Sequence, residues 1–164
     1  MSAQGSRERD RDAAGRPRNA RPRDELGRPL PHDAAGVVGV PDDIALPPDE
    51  SIAEAQRLLD AGRAFHAHEV LEATWKAAPQ AERELWRGLA QLAVGVTHVR
   101  RGNPVGAVQL LRRAADRIEG YAHDPPHGIA AAALVGWARS LIGRIERDGL
   151  AALSEADITT HLRS

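Results

Sequence analysis

At 164 residues with no cysteine and a formal net charge of −1, the chain is sized for one domain, and disulfides and thiolate metal sites are excluded. The near-zero charge gives no overall electrostatic pull toward nucleic acid or a membrane surface. Alanine, leucine and arginine dominate while aromatic and β-branched runs are scarce, which favours an all-α fold.

Residues 1–47 stand apart in composition. They hold most of the prolines, alternate in charge from Arg7 to Asp12, and then place Arg16, Arg18, Arg21 and Arg23 with no acid among them. No apolar periodicity runs through them, so the expectation is a disordered Arg/Pro-rich arm. Four arginines give only modest, salt-sensitive attraction to RNA. The segments Leu26–Leu30 and Val37–Val40 have enough apolar character to lie across a folded domain as an extended strap. Polar and charged residues stand where a secretory signal would need an apolar stretch. The longest uncharged apolar run, Ile129–Ala138, is about half of the roughly 20 residues that a membrane span requires. A cytoplasmic protein without a membrane partner is the expectation.

From Pro48 to about Leu150 the pattern is helical, and a bundle of five helices built from antiparallel hairpins is expected over 48–150. The first helix starts near Pro48–Ser51, where proline and acidic residues suit a first turn, and stops at Gly62. The second runs from about Arg63 to Ala78, ahead of Pro79, and the third from about Gln80 to Arg101, with Gly102 as its left-handed stop. Asn103-Pro104 supplies an N-cap followed by proline, a start signal for a fourth helix that reaches about Tyr121. Asp124-Pro125-Pro126 breaks the chain before a fifth helix over roughly Gly128–Asp148, ended by Gly149. In the tail, 151–164, Ser154 and Asp157 form a weak capping box for a short helix over Ser154–Leu162.

Two stretches echo each other: Leu58–Ala67 and His98–Ala107 each place a glycine five residues ahead of an alanine. That spacing lets two antiparallel helices approach closely, and two copies make a related hairpin logic, not a repeat array.

The second helix is loaded on two sides. Ala67, Val70, Leu71 and Thr74 make a core face, whereas Phe65, His68, Glu72 and Trp75 fall within about 80° of one another on another side. Glu69, His66, Ala73 and Lys76 are left for solvent. With contacts on both sides, His68 and Glu72 are expected to be substantially buried, where ionised groups need partners. On the third helix Gly88, Gln91, Gly95 and His98 share a face. Two helical glycines there point to a close neighbour, expected to be the second helix with its His68 and Glu72.

Phe65, the run His68-Glu69-Glu72-Trp75 within HEVLEATW, Arg87–His98 (RGLAQLAVGVTH) and Arg101–Leu111 (RGNPVGAVQLL) together resemble the domain-of-unknown-function family 309. The resemblance covers roughly Ser51 to Ile118. It implies a small helical bundle marked by an HxxxExxW motif, with His68, Glu72 and Trp75 as signature positions and no reaction attached.

Three readings of the motif compete. In the first, His68 and Glu72 form a structural pair beside Trp75, with Gln91 satisfying leftover donors. In the second, a small ligand or a protein segment sits between the second and third helices, met by His68, Glu69, Glu72, Trp75 and Gln91. The third is a metal-dependent hydrolase-like enzyme in which His68 and Glu72 bind a cation with His98 as third ligand. The missing second histidine of an HExxH motif and the lack of a nearby serine or cysteine nucleophile count against it. Phosphate-loop, dinucleotide and zinc-finger spacings are absent, so no cofactor is expected. The binding module is the favoured reading, and the alanine-rich fifth helix is compatible with a homodimer. His66, His123 and His127 read as surface or loop histidines.

Overall fold

The computed structural model describes residues 45–164. The expected arm, apart from its last three residues, and both strap segments lie outside these. Five helices follow one another: α1 (Pro48–Asp60), α2 (Ala64–Ala77), α3 (Arg83–Arg100), α4 (Pro104–Glu119) and α5 (Ala131–Asp148). Each packs on the next in chain order, and no strand occurs among the described residues. None of the helices is long and apolar enough to cross a membrane.

The helix boundaries follow from the residues that stop and start them. Pro48 occupies the first turn of α1 with Asp49 and Glu50 beside it, where a missing N–H costs nothing and carboxylates meet the positive helix end. Gly62 and Gly102 end α1 and α3 in the left-handed region, at φ 74° and 73°. Both turns make the same pair of bonds. Arg63 N–H reaches Leu58 O at 2.8 Å and Gly62 N–H reaches Leu59 O at 3.0 Å; Asn103 N–H reaches His98 O at 2.9 Å and Gly102 N–H reaches Val99 O at 3.1 Å. These are two Schellman motifs, a geometry that favours glycine at the left-handed position. The Asn103 side chain then accepts from Gly106 N–H at 3.0 Å and caps α4. The alanines of the sequence echo, Ala67 and Ala107, are both fully buried.

A main core of Leu58, Leu71, Leu85, Trp86, Leu89, Leu92, Ile118 and Leu134 joins all five helices. A second cluster of Leu111, Leu141, Ile142, Ile145 and Ile158 seals the far end. The antiparallel sense of α4 and α5 is marked outside by Arg139 on Glu119 and Arg112 on Glu146.

Two local expectations change. Gln80–Glu82 forms a short 3-10 turn ahead of α3 instead of its first turn. The tail makes a 3-10 turn at Leu150–Ala152 and no helix over Ser154–Leu162. The Ser154–Asp157 box does form, with Ser154 N–H donating to Asp157 Oδ2 at 2.8 Å, but it closes only a turn. Beyond it the chain is held extended. Gln56 of α1 donates to Thr160 O and accepts from Leu162 N–H, both at 2.9 Å. Ala130 N–H reaches Leu162 O at 2.8 Å. Burial of Leu162 with these tertiary bonds outweighs a helix of a few residues, which is marginal by itself.

Candidate functional site

α2 is fixed from two sides. On one, the row His66, Val70 and Thr74 is buried, and Thr74 Oγ1 lies 2.6 Å from Ser51 Oγ of α1. His66, expected at the surface, is therefore interior at 1 % exposure, because α1 covers the row in which it falls. Residues four apart stack on a helix, so Val70 and Thr74 carry His66 inward.

On the other side, Phe65, His68, Glu72 and Trp75 do line one face, and all four are half-buried. His68 Nε2 stands 3.3 Å from Glu72 Oε2, with the two side chains 21 % and 35 % exposed. The pair is thus less buried than its sequence context suggests. Lys76 Nζ approaches the other Glu72 oxygen at 3.4 Å, so the carboxylate is bracketed along the helix. The rings of Phe65 and His68 stand 5.5 Å apart.

The opposite wall comes from α3. The Arg87 guanidinium lies over the Trp75 ring at 5.3 Å, and that of Arg101 over the Phe65 ring at 5.7 Å. Arg87 and Val94 of α3 and Arg101, the residue that ends it, are heptad-spaced, which puts them on one line. Along this α2–α3 seam an aromatic ring meets an arginine at each end, with the His68–Glu72 pair between them on α2. No carboxylate of the described residues pairs with Arg87. Arg87 and Arg101 are the residues that attention to the glycine face of the third helix passes over. The fourteen-residue, two-heptad spacing of these arginines was the available signal.

The glycine face does not meet α2. A Cβ on Gly88 would stand 2.8 Å from Ile118, and one on Gly95 would stand 2.8 Å from Leu111, both in α4. The close neighbour is α4, because the turn at Arg101–Asn103 folds the chain back along that side. Gln91 accordingly accepts from Arg117 Nε of α4 at 2.9 Å, and Arg117 also binds Glu84. Gln91 is thus tied to α4 and not to His68 or Glu72.

His98 faces the same way, with its ring beside Gly106. Its Nδ1 lies 3.1 Å from Asn103 Nδ2. Asn103 Oδ1 already accepts from Gly106, so the amide donates and Nδ1 accepts. Burial, and then the nearby Arg101 charge, pull the His98 imidazole below the ordinary histidine value. His68, Glu72 and His98 do not assemble as a three-ligand set: among the described residues no group of three or more His, Cys, Asp or Glu is placed to hold a metal ion.

His127 also has a more defined place than a loop histidine requires. It adopts φ 58°, binds Glu82 through Nε2 and lies 6.0 Å from the buried Trp86 ring. It anchors the α4–α5 connection to the turn before α3.

Against known proteins, 48 residues are 46 % identical to the uncharacterized protein YpuF of Bacillus subtilis (strain 168), covering 29 % of this chain and 28 % of that one. The chain thus spans under a third of that relative's length. No solved structure matches. Residues 52–110, from α1 into α4, match the model of the family described as Domain of unknown function (DUF309), the family that the HxxxExxW run and its flanks resemble.

Proposed function

We propose that the protein is a non-catalytic binding module whose α2–α3 seam takes an extended peptide bearing carboxylates and small apolar side chains. The observation that carries this reading is Arg87: a guanidinium held over Trp75 with no carboxylate of the described residues against it. Arginine stacked on an aromatic ring keeps its donor edge for a planar carboxylate, and aromatic–arginine pairs are typical anchors of interaction surfaces. Glu72 is already engaged by His68 and Lys76, so it reduces the positive character of the seam without closing it. His68, Glu69 and Glu72 supply polar contacts along the middle, and Trp75 is the apolar wall. Gln91, held by Arg117 of α4, takes no part in this reading. The metal-dependent alternative has less in its favour, since His98 packs toward α4 and Glu72 sits beside a lysine.

The test is fluorescence anisotropy of a labelled peptide rich in aspartate and valine, titrated with the protein. Saturable binding is expected on the order of micromolar, falling with added salt and weakened about tenfold or more by Arg87→Glu. Circular dichroism checks that the variant is folded. Absence of saturable binding up to about millimolar protein, or equal binding of a lysine-rich control peptide, would overturn the reading.

A further inference from the structure

We propose that the α3–α4 turn is a proton-operated cap: in its charged form His98 takes the Asn103 carboxamide oxygen from Gly106 and leaves the start of α4 uncapped. This is separate from the Trp75–Arg87 contact and stands whether or not a peptide binds there.

The turn holds His98 and Asn103 together twice. Asn103 N–H bonds to His98 O at 2.9 Å, and Asn103 Nδ2 donates to His98 Nδ1 at 3.1 Å. The second bond fixes the neutral tautomer, with the ring proton on Nε2. Through Oδ1 the same carboxamide accepts from Gly106 N–H at 3.0 Å. One planar group thus serves two partners, one that donates to it and one that accepts from it. The space around it is used up: a Cβ on Gly106 would stand 2.6 Å from Asn103 Nδ2 and 2.9 Å from His98 Nδ1. Glycine at this position is what lets the imidazole lie against the first turn of α4.

Proton uptake at Nδ1 makes the ring a donor on both nitrogens. Two donors then face each other between His98 and Asn103. Turning the carboxamide over brings Oδ1 to the imidazolium, where a charge-assisted bond is stronger than the neutral one it replaces. The loss falls on Gly106, whose N–H then meets the amide nitrogen, and α4 is left without its N-cap.

The surroundings set the direction of the response. Among the described residues Arg101 is the charge that acts on His98, while Arg100 beside it is engaged by Glu155 of the tail. Residues 104–111 of α4 carry no ionisable side chain. Those in the first two turns of α2 are His66, His68 and Glu69; His66 is buried and His68 is paired with Glu72. Burial, and then Arg101, keep the His98 imidazole below its ordinary value. The cap is therefore whole at neutral pH and opens as pH falls through that lowered value.

Proton–nitrogen correlation NMR of the full chain tests this. With the intrinsic pH dependence removed, the Gly106 amide is expected to lose about fivefold in protection from exchange, at the midpoint where the His98 ring titrates. A Gly106 amide indifferent to that titration overturns the proposal. Asn103→Asp, an equally good N-cap, offers one oxygen to each partner. It is expected to raise the His98 midpoint by about one pH unit or more and to keep Gly106 protected through it. An unmoved midpoint, or the same loss of protection, overturns the exchange of the oxygen between partners. His98→Gln accepts from Asn103 and cannot be charged, so its Gly106 protection is expected to stay level over the same range. A persisting loss there assigns the transition to another group and overturns the role of His98.

Discussion

Ser51 and Thr74 join their hydroxyls at 2.6 Å across the α1–α2 interface, both buried. Thr74 Oγ1 also lies 3.1 Å from Val70 O and donates its hydrogen there, so Ser51 is the donor between the two. The loss on substitution is unequal. Ser51→Ala removes one accepted bond from Thr74 and costs about 1 kcal/mol. Thr74→Val leaves the buried Ser51 proton without its acceptor and costs about 1–3 kcal/mol. The double variant is expected to cost less than the sum, because no polar group is stranded. Urea unfolding of the four proteins measures the cycle: strict additivity would disprove the coupling, and equal losses in the two single variants would disprove the assigned donor direction.

Glycine positions in the helices divide by what stands beside them. At Gly95 a Cβ meets Leu111 at 2.8 Å, with the Leu111 backbone nitrogen at 3.3 Å, while at Gly136 nothing lies within 4 Å. Gly95→Ala gains helix propensity but forces α3 and α4 apart, a net loss of about 1–3 kcal/mol. Gly136→Ala, on the exposed side of α5, is expected to stabilise by about 0.5–1 kcal/mol. Thermal melts of the two variants should move in opposite directions.

For the His68–Glu72 pair, half-exposure sets the scale. A substantially buried pair would lose about 2 kcal/mol or more when its charge is removed. With Glu72 35 % exposed and shared with Lys76, solvent screening reduces the cost, and Glu72→Gln is expected to change stability by under about 1 kcal/mol. A loss near the buried value in a denaturation series would return the pair to a mainly structural role.

Most helix limits were legible because local chemistry decides them: Gly62, Gly102 and Asn103-Pro104 act within a turn of where they stand. The core face of α2 was legible from its period. Less legible was which helix meets which face. Gly88 and Gly95 announced a close neighbour, yet only the direction of the turn at Gly102 assigns that neighbour to α4. The same register takes Gln91 and His98 away from His68 and brings in Arg87 and Arg101. His66 was misplaced for a related reason, since helical period alone does not reveal that α1 widens the buried arc. The tail failed as a helix because Gln56, far away in sequence, supplies the bonds that hold it extended.

The same tail provides a pH-dependent contact with a defined sign. Asp157 accepts from Ser154 N–H at 2.8 Å and Ser154 Oγ at 3.0 Å, and pairs with Arg144. The backbone bond first, and then the Arg144 guanidinium, hold its carboxyl below the ordinary aspartate value. Folding therefore favours the ionised form. The stabilisation is complete above the ordinary aspartate range and is lost as pH falls through the lowered folded value. Trp137 Nε1 donates to Asp157 O at 3.2 Å, which couples an indole to this turn. In urea unfolding followed by tryptophan emission, wild type is expected to exceed Asp157→Asn at neutral pH, with the gap closing as the solution is acidified. Asparagine cannot supply the charge, so its own stability should lack this component of the pH dependence. A gap that stays constant into acid would mean that shape, and not ionisation, is what Asp157 contributes to the turn.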